Sequence, residues 1–442
     1  MIIFERSRRH HEELIHDGTA VAGGQETRPT LWLVGATLLV VVVGMAFSFW
    51  WPAVVRHHSY YWFIPNDIWS AVRAAHFVQW GGLSYVYSYH SALLTLPGFE
   101  ILLAPIATLC SALGLPESSL NVFLPKPDAW LIIGPFCLAT SAVAIFALDA
   151  LARRLRIARG LRRCLTLAAV VTIWPTIAYW GHPEDVLAFG LVIYAFLALR
   201  DDRPALAGWL LGAALAMQLY VILLVPIFLG VLGIRKGAAL VARASVLPGF
   251  LLVAVAVPDF HGAFWALKNQ PNFPLISHPT PWVLIAHHIN SYEVSAGPVR
   301  LLALGAAIVI GVLARRFRDD LALIIWLAAV ACAIRCVFEP VMIPYYVMPC
   351  VALSFIVAAR RGWFRLAITL IVGAGLIVMT YSHSGMWTYW GEMVGLMVAM
   401  SVSARPSRLS TGADDSTETF TKMSESDFRE LDAATITMEL VP

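Results

Sequence analysis

The chain has 442 residues, of which 59% are hydrophobic and 13% charged, about half the charged share of a soluble domain; its mean hydropathy is +0.73. A soluble chain of this length cannot hide that much apolar surface, so lipid is expected to solvate most of it. Disordered, collagen-like and disulfide-stapled classes are excluded, and apolar runs of about twenty residues argue against a transmembrane β-barrel.

Residues 1–30 are polar and mixed in charge and read as a cytoplasmic segment. The apolar run Leu31–Trp50 follows without a small-residue cleavage site, as an uncleaved first span. Further spans are predicted near 128–150, 164–180, 185–199, 240–257, 299–314, 321–338, 342–359, 366–382 and 387–403. The fold class is therefore all-α, a polytopic transmembrane bundle with about ten full spans plus broken or re-entrant segments. Arginine clusters separate these runs, and positive loops stay cytoplasmic. Placing them and both termini inside accounts for 25 of the 31 Lys and Arg residues; the others are Arg56, Arg73, Lys126, Lys268, Arg300 and Arg335.

Two segments break the parity. A lone crossing by Leu93–Leu113 would put the arginines of 153–163 outside, so that segment is expected to lie on or dip into the outer face, or to pair with a short neighbour. Ala205–Gly233 would be roughly 43 Å long as one helix, too long for the hydrocarbon core, and both its flanks, Arg203 and Arg235, belong inside. A broken hairpin turning near Gln218 meets both constraints, and interrupted helices are tolerated where they line a cavity or are buried in protein. The segment 404–442 is acidic, rich in Ser and Thr, and reads as a disordered cytoplasmic tail. The membrane domain, 31–403, then carries outer loops at 51–127 and 258–298 and a short outer turn reading GHPED at 181–185. Ten of the thirteen histidines fall outside on this topology. The six cysteines all lie in apolar runs without a CxxC pair and read as small hydrophobes.

Four polar constellations lie at the membrane's expected outer edge. Asp67 follows an aromatic stretch (Tyr60, Tyr61, Trp62, Phe63) and precedes an amphipathic run, Ile68–Trp80, that stops at Gly81–Gly82. It reads either as the N-cap of that helix or as a general base at the lipid–water boundary. His182, Glu184 and Asp185 stand where two spans meet. Asp185 suits a helix N-terminus, and the trio also offers metal-ligand chemistry, but no HExxH-like spacing supports a metal and none is expected. Arg335 and Glu339 are four apart, so on a helix they share a face and pair; the functional alternative has Arg335 meeting a phosphate. Tyr345 and Tyr346 follow shortly after. Gln218 and Tyr220 mark the hairpin break, where a lone Gln is ordinarily an interhelical hydrogen-bonder. There is no Walker loop, Rossmann fingerprint or nucleophile elbow, and nothing suggests nucleic acid or a cofactor.

The ordered motifs resemble the GT-C superfamily of polyprenyl-phosphate-sugar-dependent glycosyltransferases, in particular the actinobacterial mannosyltransferases of phosphatidylinositol mannoside and lipomannan synthesis. The resemblance rests on Asp67, Trp69, Ala74–Ala75, Gly82, Leu83 and Tyr85, then Pro97 and Pro105, within the first outer loop. It continues through Trp180-Gly181-His182, Arg200–Arg203, Ala207-Gly208, Leu211-Gly212-Ala213 and Gln218-Leu219-Tyr220, and ends with Pro340 to Tyr346. It covers roughly residues 31–360. The chain departs from the family's pattern at Gln218, where Lys is common, at Tyr345, where His is common, and in GHPED, which lacks the usual Asn. The resemblance thus implies a donor pocket rebuilt around His182, Arg335 or a loop histidine.

What the resemblance implies is an outward-facing enzyme taking a polyprenyl-phosphate sugar, mannose before arabinofuranose, and a lipid-anchored glycan or glycolipid acceptor in the membrane. Transfer would be an inverting single displacement with Asp67 as base; His182, Glu184, Asp185, Gln218, Tyr220, Arg335, Glu339, Tyr345 and Tyr346 are the expected substrate-binding residues. The alternative is a transporter or flippase of a lipid-linked saccharide, which also uses broken helices and intramembrane charge.

Overall fold

The computed structural model describes residues 31–56, 62–82, 85–88, 95–115, 123–124, 128–382 and 384–406. The expected segment 1–30 and the tail beyond 406 lie outside the described residues, as do Tyr60, Tyr61 and Leu83.

The chain is all-α apart from two-residue strands. In order it forms α1 (Leu31–Arg56), β1 (Trp62–Phe63), α2 (Asn66–Gln79), a helical turn at Tyr85–Ser88, α3 (Gly98–Ala112), β2 (Phe123–Leu124), α4 (Trp130–Arg154), α5 (Arg159–Ala178) and α6 (Pro183–Arg200). Next come α7 (Pro204–Met217), a 3-10 turn (Leu219–Leu224), α8 (Val225–Leu232), α9 (Ile234–Ala256) and α10 (Phe260–Asn269). Strands β3 (Pro271–Asn272), β4 (His278–Pro279), β5 (His287–His288) and β6 (Val294–Ser295) lead to α11 (Gly297–Ala314) and α12 (Leu321–Val337). The chain closes with β7 (Val341–Met342), a 3-10 turn (Pro344–Val347), α13 (Met348–Ala359), α14 (Trp363–Met379) and α15 (Met386–Ala404).

Among the described residues, five helical stretches are long and apolar enough to cross a membrane: Leu31–Val54, Trp130–Arg154, Arg159–Ala178, Ile234–Ala256 and Gly297–Phe317. Helices suit such sequences because each satisfies its own backbone N–H and C=O groups without water. Helix α13 runs through the middle of the bundle, with every one of its residues buried. Small residues set the closest crossings, as expected where helices pack without a hydrophobic drive between them. A Cβ on Gly212 of α7 would stand 2.7 Å from the carbonyl oxygen of Ala244 in α9, and Gly230 of α8 meets Gly311 of α11 backbone to backbone.

Those contacts also show how Ala205–Gly233 folds. Gly208 packs on Leu240 and Arg243, and Gly212 on Ala244, so α7 and α9 run in the same direction. Helix α8, joined to α9 through Gly233, must return between them. The segment is a broken hairpin, and its break is at Gln218, whose backbone is extended (φ −148°, ψ 127°).

The stretch between α1 and α4 is closed by an antiparallel pairing of β1 with β2, Trp62 opposite Leu124 and Phe63 opposite Phe123. Helix α2 begins two residues earlier than the amphipathic run, with Pro65 as its N-cap and no side-chain capping bond. Asp67 therefore lies inside the first turn and does not cap the helix. Helix α3 packs along α2 and is 15 residues long, short of the roughly 20 that a perpendicular crossing needs.

The expected loop 258–298 is folded. Asp259 caps α10 by accepting from the Gly262 N–H at 2.9 Å. Strands β3, β6 and β5 form an antiparallel sheet, and β4 pairs with β7, His278 opposite Met342 and Pro279 opposite Val341. Here the structure corrects the Arg335–Glu339 pairing. Helix α12 stops at Val337, so Glu339 leaves the helical face that it would have shared with Arg335. The fully buried Glu339 carboxylate instead accepts from Arg300 Nε at 2.9 and 3.0 Å and from Asn272 Nδ2 at 3.2 Å. Arg300 also donates to the Gln270 side chain. This network fastens the folded loop to α11 and to the end of α12.

Candidate functional site

The site begins at the turn between α5 and α6. Helix α5 ends at Ala178, and the N–H groups of Gly181 and His182 fall back on the carbonyls of Ile177 and Thr176 at 3.1 and 2.9 Å. Gly181 has φ +79°, and a Cβ there would stand 2.8 Å from Pro65 Cβ and 3.0 Å from the Ile68 nitrogen. Only glycine suits both the left-handed turn and the close approach of α2. Pro183 then opens α6, where its missing N–H costs nothing, and Glu184 and Asp185 occupy a first turn that favours negative charge.

This packing places His182 between three carboxylates. Its Nε2 lies 3.0 Å from Asp67 Oδ2 and its Nδ1 2.7 Å from Glu184 Oε1, with Asp185 Oδ2 at 3.7 Å. Bonding through both nitrogens requires a proton on each. Burial disfavours a charged ring, but the Glu184 charge, the hydrogen bonds to Asp67 and Glu184 and the Asp67 charge outweigh it and raise the His182 pKa well above its ordinary value. The Asp67 side chain remains 48% exposed, open to an incoming molecule.

Behind the histidine the broken hairpin contributes two partners. The extended backbone at Gln218 turns its side chain toward α6, where Nε2 donates to Asp185 Oδ2 at 3.0 Å, and the Tyr220 hydroxyl donates to the Asp185 carbonyl at 3.4 Å. The turn before α13 supplies two rings. Tyr345 stacks on His182 with centroids 4.2 Å apart, and Tyr346 meets Tyr345 edge-on at 4.8 Å. Arg335 closes the assembly: its Cζ sits 4.0 Å over the Tyr346 ring and 5.0 Å over Tyr220, a cation held by π faces. Among the described residues it makes no ion pair.

The structure thus joins Asp67, His182, Glu184, Asp185, Gln218, Tyr220, Tyr345, Tyr346 and Arg335 in one continuous set of contacts. Asp67 is at one end and Arg335 at the other. Glu339 stands apart, its carboxylate taken by Arg300. Glu100 of α3 went unnoticed in the sequence: it is 2% exposed, and its Oε2 has no hydrogen-bond partner among the described residues. The available signal was a carboxyl inside an apolar run. The Trp180 indole donates to the Tyr381 hydroxyl at 3.4 Å beside Tyr345, a pair that nothing in the sequence spacing announced.

Chemically, the arrangement offers a half-exposed carboxylate oriented by an imidazolium, with a cation on the second of two tyrosines packed edge to face. His182, Glu184 and Asp185 also present ligand atoms within 4.8 Å of one another, the one group among the described residues with metal-ligand potential. Both histidine nitrogens also face carboxylates at hydrogen-bond distance. Neither a protein-family model nor a curated protein matches the sequence.

Proposed function

We propose that the protein is an integral membrane glycosyltransferase of the GT-C type, with about ten spans and its site on the extracytoplasmic side. The side follows from the charges: basic loops lie at the opposite ends of the same helices. It moves a sugar, mannose in preference to arabinofuranose, from a polyprenyl-phosphate donor to a lipid-anchored glycan or glycolipid. The observation that carries this reading is the Asp67–His182 contact at the exposed end of a buried polar cluster whose other end is the cation Arg335.

The chemistry is one displacement. The acceptor hydroxyl oxygen forms its bond to the anomeric carbon as its proton passes to Asp67. The bond from that carbon to the phosphate oxygen breaks, and the electron pair leaves with polyprenyl phosphate. His182 holds the Asp67 carboxylate in one orientation, leaving Oδ1 for the hydroxyl. Arg335 offsets the charge of the departing phosphate, a charge-assisted interaction stronger than a neutral one. No covalent enzyme intermediate forms. The test is transfer by the purified chain from polyprenyl-phosphate mannose to a membrane glycolipid; no transfer with either mannose or arabinofuranose donors rejects the reading.

The interrupted hairpin at Gln218 also suits a transporter, since broken helices at a polar site are that class's device. Sugar transfer in detergent, where there are no two sides to move between, separates the two.

A further inference from the structure

A groove runs along the apolar flank of the bundle and ends at the site. It lies between the last turns of α5, the turn before α13 and the end of α14, and is shallow, with a cavity volume of about 40 Å³. Val171, Pro175 and Ile377 line its length, and Trp180, Tyr345 and Tyr381 close its head. The groove's flanks are apolar and bare: Leu167 and Val171 of α5, and Ile371 and Val378 of α14, are all more than half exposed. In the membrane reading these faces meet acyl chains, so the groove opens to lipid.

Its closed end is specific. Tyr345 lines the groove and stacks on His182, and His182 holds Asp67. An amphiphile whose chain fills the groove therefore carries its polar head past Trp180 and Tyr345 toward Asp67. Charge selects which amphiphile fits. The head arrives at Asp67, the open member of a carboxylate group whose enclosed members are Glu184 and Asp185, and their charges disfavour a phosphate placed beside them. The cation suited to a phosphate, Arg335, packs on Tyr346, one ring removed from Tyr345.

The geometry points to this groove as the seat of the acceptor's apolar chain, with the acceptor's neutral, hydroxyl-bearing sugar delivered to Asp67. The inference rests on the transferase reading and adds to it a division of the site: acceptor lipid along α5 and α14, donor phosphate from the Arg335 side.

Val171→Trp and Ile377→Trp fill the groove from exposed or half-exposed positions outside the polar cluster. With a diacyl glycolipid acceptor, KM should rise about tenfold with kcat nearly unchanged, the scale of about two methylenes kept from burial. With a short octyl mannoside acceptor, KM should stay within about twofold, and the donor KM should not move. A rise in donor KM instead would assign the groove to the polyprenyl chain and overturn the proposal, as would equal effects on both acceptors or none on either. A second measurement needs no turnover: a glycolipid with a diazirine in its acyl chain should label α5 and α14, and a diazirine-bearing polyprenyl phosphate should label elsewhere. Labelling of the groove by the polyprenyl probe, or by neither probe, rejects the assignment even in an active enzyme. Labelling as expected in a chain that transfers no sugar upholds the groove while the transferase reading falls.

Discussion

His182 Nε2 and Asp67 Oδ2 are 3.0 Å apart across 115 residues of sequence, and the same ring's Nδ1 is held by Glu184 at 2.7 Å. The imidazole is thereby fixed from both sides, and Asp67 is fixed through it. Because Asp67 does not cap α2, replacing it tests chemistry and not helix formation.

Asp67→Asn keeps the shape of the side chain and an oxygen for His182 but removes basicity. Transfer should fall by roughly two to four orders of magnitude, the scale of a lost acid–base group, while Tm stays near that of the wild type. Full activity in Asp67→Asn would remove Asp67 as base and with it the main ground for preferring a transferase to a transporter.

The pH dependence of stability should follow His182. Its folded-state pKa is raised well above the ordinary value, so its contribution is complete below the unfolded value of about 6.5 and is lost as pH rises through the folded one. His182→Gln should therefore lower Tm most below about pH 6.5. The gap to the wild type should narrow as pH rises above that value. Thermal melts in detergent at several pH values decide this, and a gap that widens with pH would contradict it.

Arg335 reads as the phosphate partner, and a fork-shaped cation flat on tyrosine is not matched by lysine. Arg335→Lys should raise the donor KM by about tenfold or more and leave the acceptor KM alone. Equal changes in both would show that the residue only supports the cluster.

Transfer should survive dialysis against EDTA. Loss of activity that a divalent ion restores would turn His182, Glu184 and Asp185 into a metal site and displace the protonated histidine from the mechanism.

The Arg300–Glu339 pair is buried on the carboxylate side. Arg300→Met strands that charge and should cost about 3–5 kcal/mol, and adding Glu339→Gln should return a large part of it. Unfolding of the two variants compared with the wild type measures the difference.

The polar cluster was legible because carboxylates, histidine and glutamine stand out against apolar helices, and because the break at Gln218 follows from length and flanking charge. The Glu339 partner was not legible. Its i,i+4 spacing from Arg335 is a helical statement, and α12 ends two residues too soon for it to apply. Whether Asp67 capped α2 was equally hidden, since the helix start shifted by one turn position moves a cap into the first turn. The sheet pairing of β4 with β7 joins segments more than 60 residues apart, beyond any local pattern. The groove escaped notice for the opposite reason: Val171, Pro175 and Ile377 are ordinary membrane-helix residues until their neighbours are known.

The β4–β7 pairing has a consequence for the timing of assembly. Its partner strand, Val341–Met342, lies directly before the turn bearing Tyr345 and Tyr346, and Thr280 is bonded to the carbonyls of Glu339 and Pro340. Asp67, His182 and Gln218 leave the ribosome long before those tyrosines. The early segments must wait with the histidine's ring uncovered until residues 339–347 emerge and latch onto the folded 258–298 segment. A nascent chain stopped before Val341 then has the Asp67–His182 contact without the tyrosine wall beside it.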